Sequence, residues 1–178
     1  MNTFPNHKFL NNPLYKIVLK YLSSSRDNVN FLQIGAFDGK HYDELYEIVK
    51  DDLKFKGLLI EPLHVAFSEL LKTYSHRKDW LFENIAITEK KEIRQIWTIP
   101  YELKNNPNLP EWAIGCSTLL KNSNSLFGKH CNREEFEALK KHTVIEFVQC
   151  DHLFSVLSKH DFFNIDIVHV DTEGYDWL

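Results

Sequence analysis

Phe31-Leu32-Gln33-Ile34-Gly35-Ala36-Phe37-Asp38-Gly39-Lys40 is the stretch that decides how this chain is read. The run Val29 to Ile34 that ends at Gly35 is short and apolar, the pattern of a strand buried on both faces of a parallel sheet. Two glycines four apart at its carboxyl end permit a tight turn and let a ligand approach the backbone closely. The helix expected next carries Tyr42, Leu45, Ile48 and Val49 on one face. Its free N–H groups would make a seat for a carboxylate. Glycine turns after strands are common, so this motif alone leaves a plain turn and a binding loop equally open.

Working outward, Gly57-Leu58-Leu59-Ile60-Glu61-Pro62 reads as a second strand closed by a proline. Phe67, Leu70, Leu71 and Tyr74 form a helical stripe, and Leu81 to Ile87 reads as a third strand. Before Val29, Leu10, Leu14, Ile17, Val18, Tyr21 and Leu22 sit at helical spacing and stop at Ser23-Ser24-Ser25. The alternation β-α-β-α-β, with crossovers of about 20 residues, predicts a parallel sheet with helices on its faces. The rhythm then breaks. Ile93, Trp97 and Ile99 at period two predict an antiparallel strand, and Pro100 to Asn132 is loop-like. Glu134 to Lys141 predicts a helix, Val144 to Cys150 a strand, and Leu153, Val156 and Leu157 another helical face. Ile165 to Asp171 is the last apolar strand. The expected organisation is an N-terminal helical extension over 1–28 and an α/β domain over 29–178, with an irregular insertion at about 88–143.

Composition narrows the function classes. The chain has 178 residues, enough for one domain with a real core, and a formal net charge of -4. No basic block points to nucleic acid, and no apolar stretch approaches the roughly 18 residues of a membrane span. Met1 to Pro13 lacks the apolar run of a signal peptide. Cys116, Cys131 and Cys150 show no CxxC spacing, so neither a disulfide framework nor a zinc site is expected, and the default setting is a reduced cytoplasm.

Glu61 adds a second element to the glycine turn. It ends the next strand, 22 residues beyond Gly39. At a comparable spacing in dinucleotide folds, about 20 residues on, an acid accepts hydrogen bonds from both ribose hydroxyls. The bland alternative is a solvent-facing Glu before a proline. A nicotinamide fingerprint needs GxGxxG, but here Phe37 and Lys40 occupy its second and third glycine positions. Phe37 would crowd a pyrophosphate, and no Walker-type motif exists for a triphosphate. S-adenosylmethionine has no phosphate, so these departures favour it over NAD.

Five motifs occur in order: Gln33-Ile-Gly-Ala-Phe-Asp-Gly, Leu59-Ile-Glu-Pro, Glu83-Asn-Ile-Ala-Ile, Leu109-Pro-Glu-Trp-Ala-Ile-Gly and Ile167-Val-His-Val-Asp-Thr-Glu-Gly-Tyr-Asp. Together, over about residues 29–178, they resemble the FkbM family of methyltransferases. The resemblance implies a Rossmann-like, doubly wound, mostly parallel α/β fold that binds S-adenosylmethionine. It implies that Gly35, Ala36, Phe37, Asp38 and Gly39 wrap the methionine part, with Gln33 beside them. Glu61, next to Pro62, would hold the ribose, and Asn84 with Ala86 would flank the adenine. Asp171 would face the methionine amine or the reaction centre. Methyl transfer to a hydroxyl on a sugar or glycoconjugate is the activity implied. The alternatives are a non-catalytic nucleotide-binding module and, more remotely, an NAD-linked or nucleotide-sugar enzyme.

Removing the proton of an alcohol acceptor calls for a base within hydrogen-bond reach. Asp171, Glu173 and His41 are the candidates, in that order, His41 because it follows the glycine turn. Its bland reading is a polar residue at a helix start. His169 shares a strand face with Asp171 and reads more simply as a partly buried, satisfied histidine. Asp43 and Glu44 read as dipole partners in a helix's first turn. Asp171 and Glu173 offer two oxygen ligands to a divalent cation, but no third ligand is identifiable, so no metal is expected. Trp97, Tyr101 and Trp112, in or beside the insertion, would suit a sugar ring or simply anchor the loop. The chain stops at Tyr175-Asp176-Trp177-Leu178, inside the helix expected after the fourth parallel strand. The expectation is therefore a fold truncated there, whose unpaired strand edge favours self-association.

Overall fold

Alternate residues of the strand Val29–Ile34 enter two different cores. Val29 and Phe31 pack with Phe55, Leu59, Leu70, Tyr74 and Trp80, while Leu32 and Ile34 pack with Leu58, Ile60 and Val156 on the opposite face. Both faces are covered, as a run of apolar residues without polar alternation requires. Phe31 is the centre of the first core, edge-on to the Phe55 ring at 6.0 Å and to the Trp80 ring at 5.0 Å. Truncating a buried phenylalanine of this kind costs about 3–5 kcal/mol.

The computed structural model describes residues 13, 17, 27–43, 45–120 and 131–172. In chain order its elements begin β1 (Val29–Ile34), α1 (Tyr46–Val49), β2 (Phe55–Ile60), α2 (His64–Thr73) and β3 (Leu81–Glu83). There follow β4 (Ala86–Ile87), β5 (Glu92–Thr98), two 3-10 turns (Tyr101–Leu103 and Glu111–Gly115) and β6 (Ser117–Thr118). The last are α3 (Arg133–His142), β7 (Val144–Asp151), α4 (Leu153–His160) and β8 (Ile167–Val170). The first sheet has the order β3-β2-β1-β8 and every pairing in it is parallel. The second has the order β4-β7-β5-β6 and is mixed: β4 runs parallel to β7, and β5 antiparallel to β7 and β6. The chain is thus α/β, with one parallel and one mixed sheet. None of the helices among the described residues is long and apolar enough to cross a membrane.

Buried Arg77 fixes where β2 begins. Its guanidinium donates to the carbonyls of Val49 and Asp52, each at 3.0 Å, and to that of Phe55, and it lies 4.4 Å from the Trp80 ring centroid. Trp80 Nε1 donates to the same Phe55 carbonyl at 2.9 Å. These side chains give donors to the carbonyls of Val49 and Phe55 and add to the bond that the Asp52 carbonyl accepts from Phe55 N–H at 3.1 Å. At the other edge, Asn30 N–H donates to Asp166 Oδ2 at 2.9 Å, and the Asn30 amide to Asn164 O at 2.7 Å, so the approach to β8 is tied to β1.

The structure departs from the sequence reading at three places. The strand expected over Leu81–Ile87 divides: β3 belongs to the parallel sheet and β4 to the mixed one. The break falls at Asn84, whose side-chain amide donates to the carbonyls of Glu61 at 2.8 Å and Pro62 at 3.0 Å and so turns the chain. The inward face of β5 is Ile96 and Thr98, while Ile93 is 61% exposed. Ile93 and Trp97 lie on its other side, Trp97 opposite Ile145 of β7, in a strand that is antiparallel as the spacing predicts. The stretch expected as a loop from Pro100 contains the two 3-10 turns and β6, anchored by a core of Ile99, Leu109, Ala113, Ile114 and Leu139. The helix expected from Tyr42 starts only at Tyr46, and Asp43 lies before it rather than in its first turn. The N-terminal helix expected over 10–22, apart from positions 13 and 17, lies outside the described residues, as do Glu44 and Glu173.

Candidate functional site

A cavity of about 440 Å³ opens at the carboxyl ends of β1, β2 and β8, within the usual range for small-molecule sites. In open parallel sheets this crevice is where ligands bind. One wall comes from the parallel sheet and the segments that leave it: Gln33, Gly35, Phe37, Glu61, Pro62 and Asp171. The facing wall comes from the mixed sheet and the insertion, with Ala86, Ile96, Trp112, Cys116 and Thr118.

Gly35 takes φ +81°, and a Cβ built there would lie 1.8 Å from the carbonyl oxygen of Asp171. The turn therefore presses directly on the end of β8, an approach that only glycine allows. Its amide and that of Ala36 both donate to Ile60 O, at 2.9 and 3.0 Å. Phe37 and Tyr42, neither a glycine, take φ +48° and +61°. Left-handed backbone in bulky residues costs free energy and clusters at binding sites. The Phe37 ring packs 5.6 Å from Tyr101 and 6.2 Å from Tyr42, in the position where a nicotinamide fingerprint has its second glycine.

Glu61 is 4% exposed, not the solvent-facing acid of the bland reading. Its Oε2 accepts from Phe37 N–H and its Oε1 from Leu63 N–H, both at 2.8 Å. Burial pushes its carboxyl up to about 7, against the pull of these two donors, and the Asp38 charge adds to the rise. Each oxygen keeps a further lone pair.

Asp38 and Gly39 stand apart from this cavity. A Cβ on Gly39 (φ +70°) would meet Leu70 Cδ1 at 2.5 Å and Tyr74 Cε2 at 2.6 Å, so this glycine serves packing against α2. Asp38 is 2% exposed. Its Oδ1 accepts from the backbone N–H groups of Lys40 (3.1 Å) and His41 (2.9 Å). Its Oδ2 accepts from Tyr101 OH at 3.0 Å and lies 2.6 Å from His41 Nδ1. Burial, then the Asp38 charge, raises the Tyr101 hydroxyl above its usual range. Asp38 instead lines a neighbouring cavity of about 150 Å³ with Tyr101, Lys104, Asn105 and Ile114. Phe37, His41 and Tyr42 line both cavities.

Of the residues singled out from sequence, the large cavity brings together Gln33, Gly35, Ala36, Phe37, His41, Glu61, Pro62, Ala86 and Asp171. It does not include Asp38, Gly39 or Asn84, the last being spent on the Glu61 and Pro62 carbonyls. Glu173 lies outside the described residues. Two residues given bland readings also reach the cavity, Asp43 and His169. The Asp43 carboxyl is raised by burial, which outweighs a hydrogen bond from Leu45 N–H, one with the Gln33 side chain and the proximity of His169. Gln33 Oε1, Asp43 Oδ2 and His169 Nδ1 are buried with no partner in the protein. The contributions of Cys116, Thr118 and the mixed sheet carried no sequence signal, because the insertion has no periodicity that points inward. Among the described residues, no group of three or more His, Cys, Asp or Glu side chains is placed to hold a metal ion.

Compared with protein-family models, with curated proteins and with solved structures, the chain matches none.

Proposed function

We propose that the large cavity binds S-adenosylmethionine and that the chain serves methyl transfer to a hydroxyl, on a sugar or glycoconjugate. The observation that carries this reading is that Gly35 and the buried carboxylate of Glu61, from the ends of adjacent parallel strands, open on one cavity. The glycine turn gives close backbone approach, and Glu61 keeps lone pairs for the two hydroxyls of a ribose. Phe37 stands where a nicotinamide fingerprint has its second glycine, which disfavours NAD.

When bound, the sulfonium supplies a methyl group already activated for displacement. The residues then have three tasks: to hold the donor, to bring an acceptor oxygen into line, and to take its proton. His41 is suited to the third. Asp38 engages Nδ1, so in the neutral ring the proton resides there and Nε2 accepts. Asp171 is the second candidate base. Phe37, which lines both cavities, and Tyr101, which lines the smaller one, offer aromatic faces to an acceptor ring.

Calorimetry with S-adenosylhomocysteine, NAD and a nucleotide-sugar tests the binding step. Only the first is expected to bind, and Glu61→Gln is expected to weaken it about tenfold or more, the worth of a charged hydrogen bond. Preferential binding of NAD overturns the reading. Radiolabelled methyl transfer to a glycan pool tests turnover, and binding without transfer would favour a non-catalytic module.

A further inference from the structure

The smaller cavity differs in chemistry from the large one. Buried Asp38, which lines it, has all of its lone pairs taken: the N–H groups of Lys40 and His41 bond to Oδ1, and Tyr101 OH and His41 Nδ1 to Oδ2. This carboxylate therefore keeps nothing for a ligand and serves to fix two other lining side chains, Tyr101 and His41. The His41 side chain is 55% exposed. With Nδ1 held by Asp38, its neutral ring keeps Nε2 as an acceptor. Lys104 and Asn105, both exposed, line the same cavity and bring donors to it. Lys104 Nζ lies 4.7 Å from the Tyr101 ring centroid and 3.5 Å from the Tyr101 hydroxyl, with no carboxylate partner among the described residues. Glu69, whose charge also reaches Tyr101, is paired with Lys72 at 2.7 Å. Phe37 and Tyr42 add aromatic walls, both on left-handed backbone, and Tyr42 is 50% exposed. Backbone strain of this kind collects at ligand clamps.

Each of these features constrains the ligand. A cavity of about 150 Å³ suits one small ring and leaves no room for a nucleotide-sugar, since sites for drug-sized molecules begin at about 300 Å³. Aromatic walls fit the apolar faces of a ring. Nε2 of His41 accepts from a hydroxyl, while an ammonium without a carboxylate partner, next to a side-chain amide, fits an anion. We propose that the smaller cavity is a second ligand seat, for a single hydroxylated ring bearing a carboxylate or phosphate that Lys104 receives. That this ring is the methyl acceptor rests on the function proposed above; the seat itself does not.

The test is ligand-observed NMR of the full chain with glucuronate, glucose 6-phosphate and glucose, each with and without S-adenosylhomocysteine. At least one of the two anionic sugars is expected to bind about fivefold more tightly than glucose, the upper end for an exposed ion pair, and the tighter of them names the anion. Lys104→Met keeps the apolar stem and removes the charge. It should bring the anionic sugars down to the level of glucose and leave S-adenosylhomocysteine unchanged. Asn105→Asp, which sets a negative charge beside Lys104, should act on the same probes in the same direction. Both positions are exposed, so neither change threatens the core. S-adenosylhomocysteine and the anionic sugar are expected to bind together, each in its own cavity. The proposal is overturned if the unaltered chain binds neither anionic sugar, if both variants leave their binding unchanged, or if S-adenosylhomocysteine displaces them. A chain that binds S-adenosylhomocysteine and no anionic sugar would lose the seat and keep the methyltransferase reading. One that binds glucuronate through Lys104 and no S-adenosylhomocysteine would sink that reading and leave the seat standing.

Discussion

Glu61 is asked to be buried and charged at once, and its titration should report the conflict. Its folded carboxyl titrates near 7, above the ordinary 4.5. The folded state therefore holds the proton more tightly than the unfolded chain. The stabilising contribution is complete below about pH 4.5 and is lost as pH rises through about 7. Urea denaturation at pH 5 and pH 8 should show the wild-type chain losing stability relative to Glu61→Gln over that interval; a constant difference would count against it. Gly35 is the other residue with a sharp expectation. Gly35→Ala places a methyl 1.8 Å from a backbone carbonyl at φ +81°, so the cost should exceed about 2 kcal/mol in the same assay. Both residues were legible in the sequence because each ends an apolar run. Asp43 and His169 were not, because their place in the cavity depends on a cross-strand neighbour and on where α1 begins.

At the scale of elements, the parallel strands were readable because burial on both faces leaves an uninterrupted apolar run, ended by glycine or proline. The mixed sheet was harder. Ile93 and Trp97 are as apolar as Ile96, and Phe147, 71% exposed, is as apolar as Val148, so patterning could not tell the inner face from the outer. The division between β3 and β4 depends on one amide, Asn84, reaching two carbonyls that lie 22 and 23 positions earlier. Helix α3 was the clearer case. Asn132 accepts from Glu135 N–H at 3.0 Å while Glu135 accepts from Asn132 N–H at 2.8 Å, a complete capping box. Asn132→Ala should cost about 1 kcal/mol, measured by urea denaturation, and should leave ligand binding unchanged.

For the whole molecule, the cavity draws its walls from both sheets, so occupancy should be felt as stability. S-adenosylhomocysteine at a hundred times its dissociation constant should add about 2.7 kcal/mol, seen as a rise in melting temperature. No shift at such a concentration would contradict binding to the folded chain. The outer side of β8 pairs with no strand among the described residues, and Val168 on it is 55% exposed. Sedimentation is expected to show concentration-dependent association that Val168→Lys reduces, since a lysine at a sheet edge opposes pairing.

Arg77 and the cleft lie at opposite ends of β2, about 20 Å apart at the usual rise per residue. The guanidinium grips three carbonyls around the strand's first residue, and a lysine, with one point of charge, cannot reproduce that fork. A strand seated one position out of step would send Glu61 to the opposite face and bring a hydrophobic neighbour in its stead. Damage at the far margin of the protein would then surface as a cavity that has lost its buried acid.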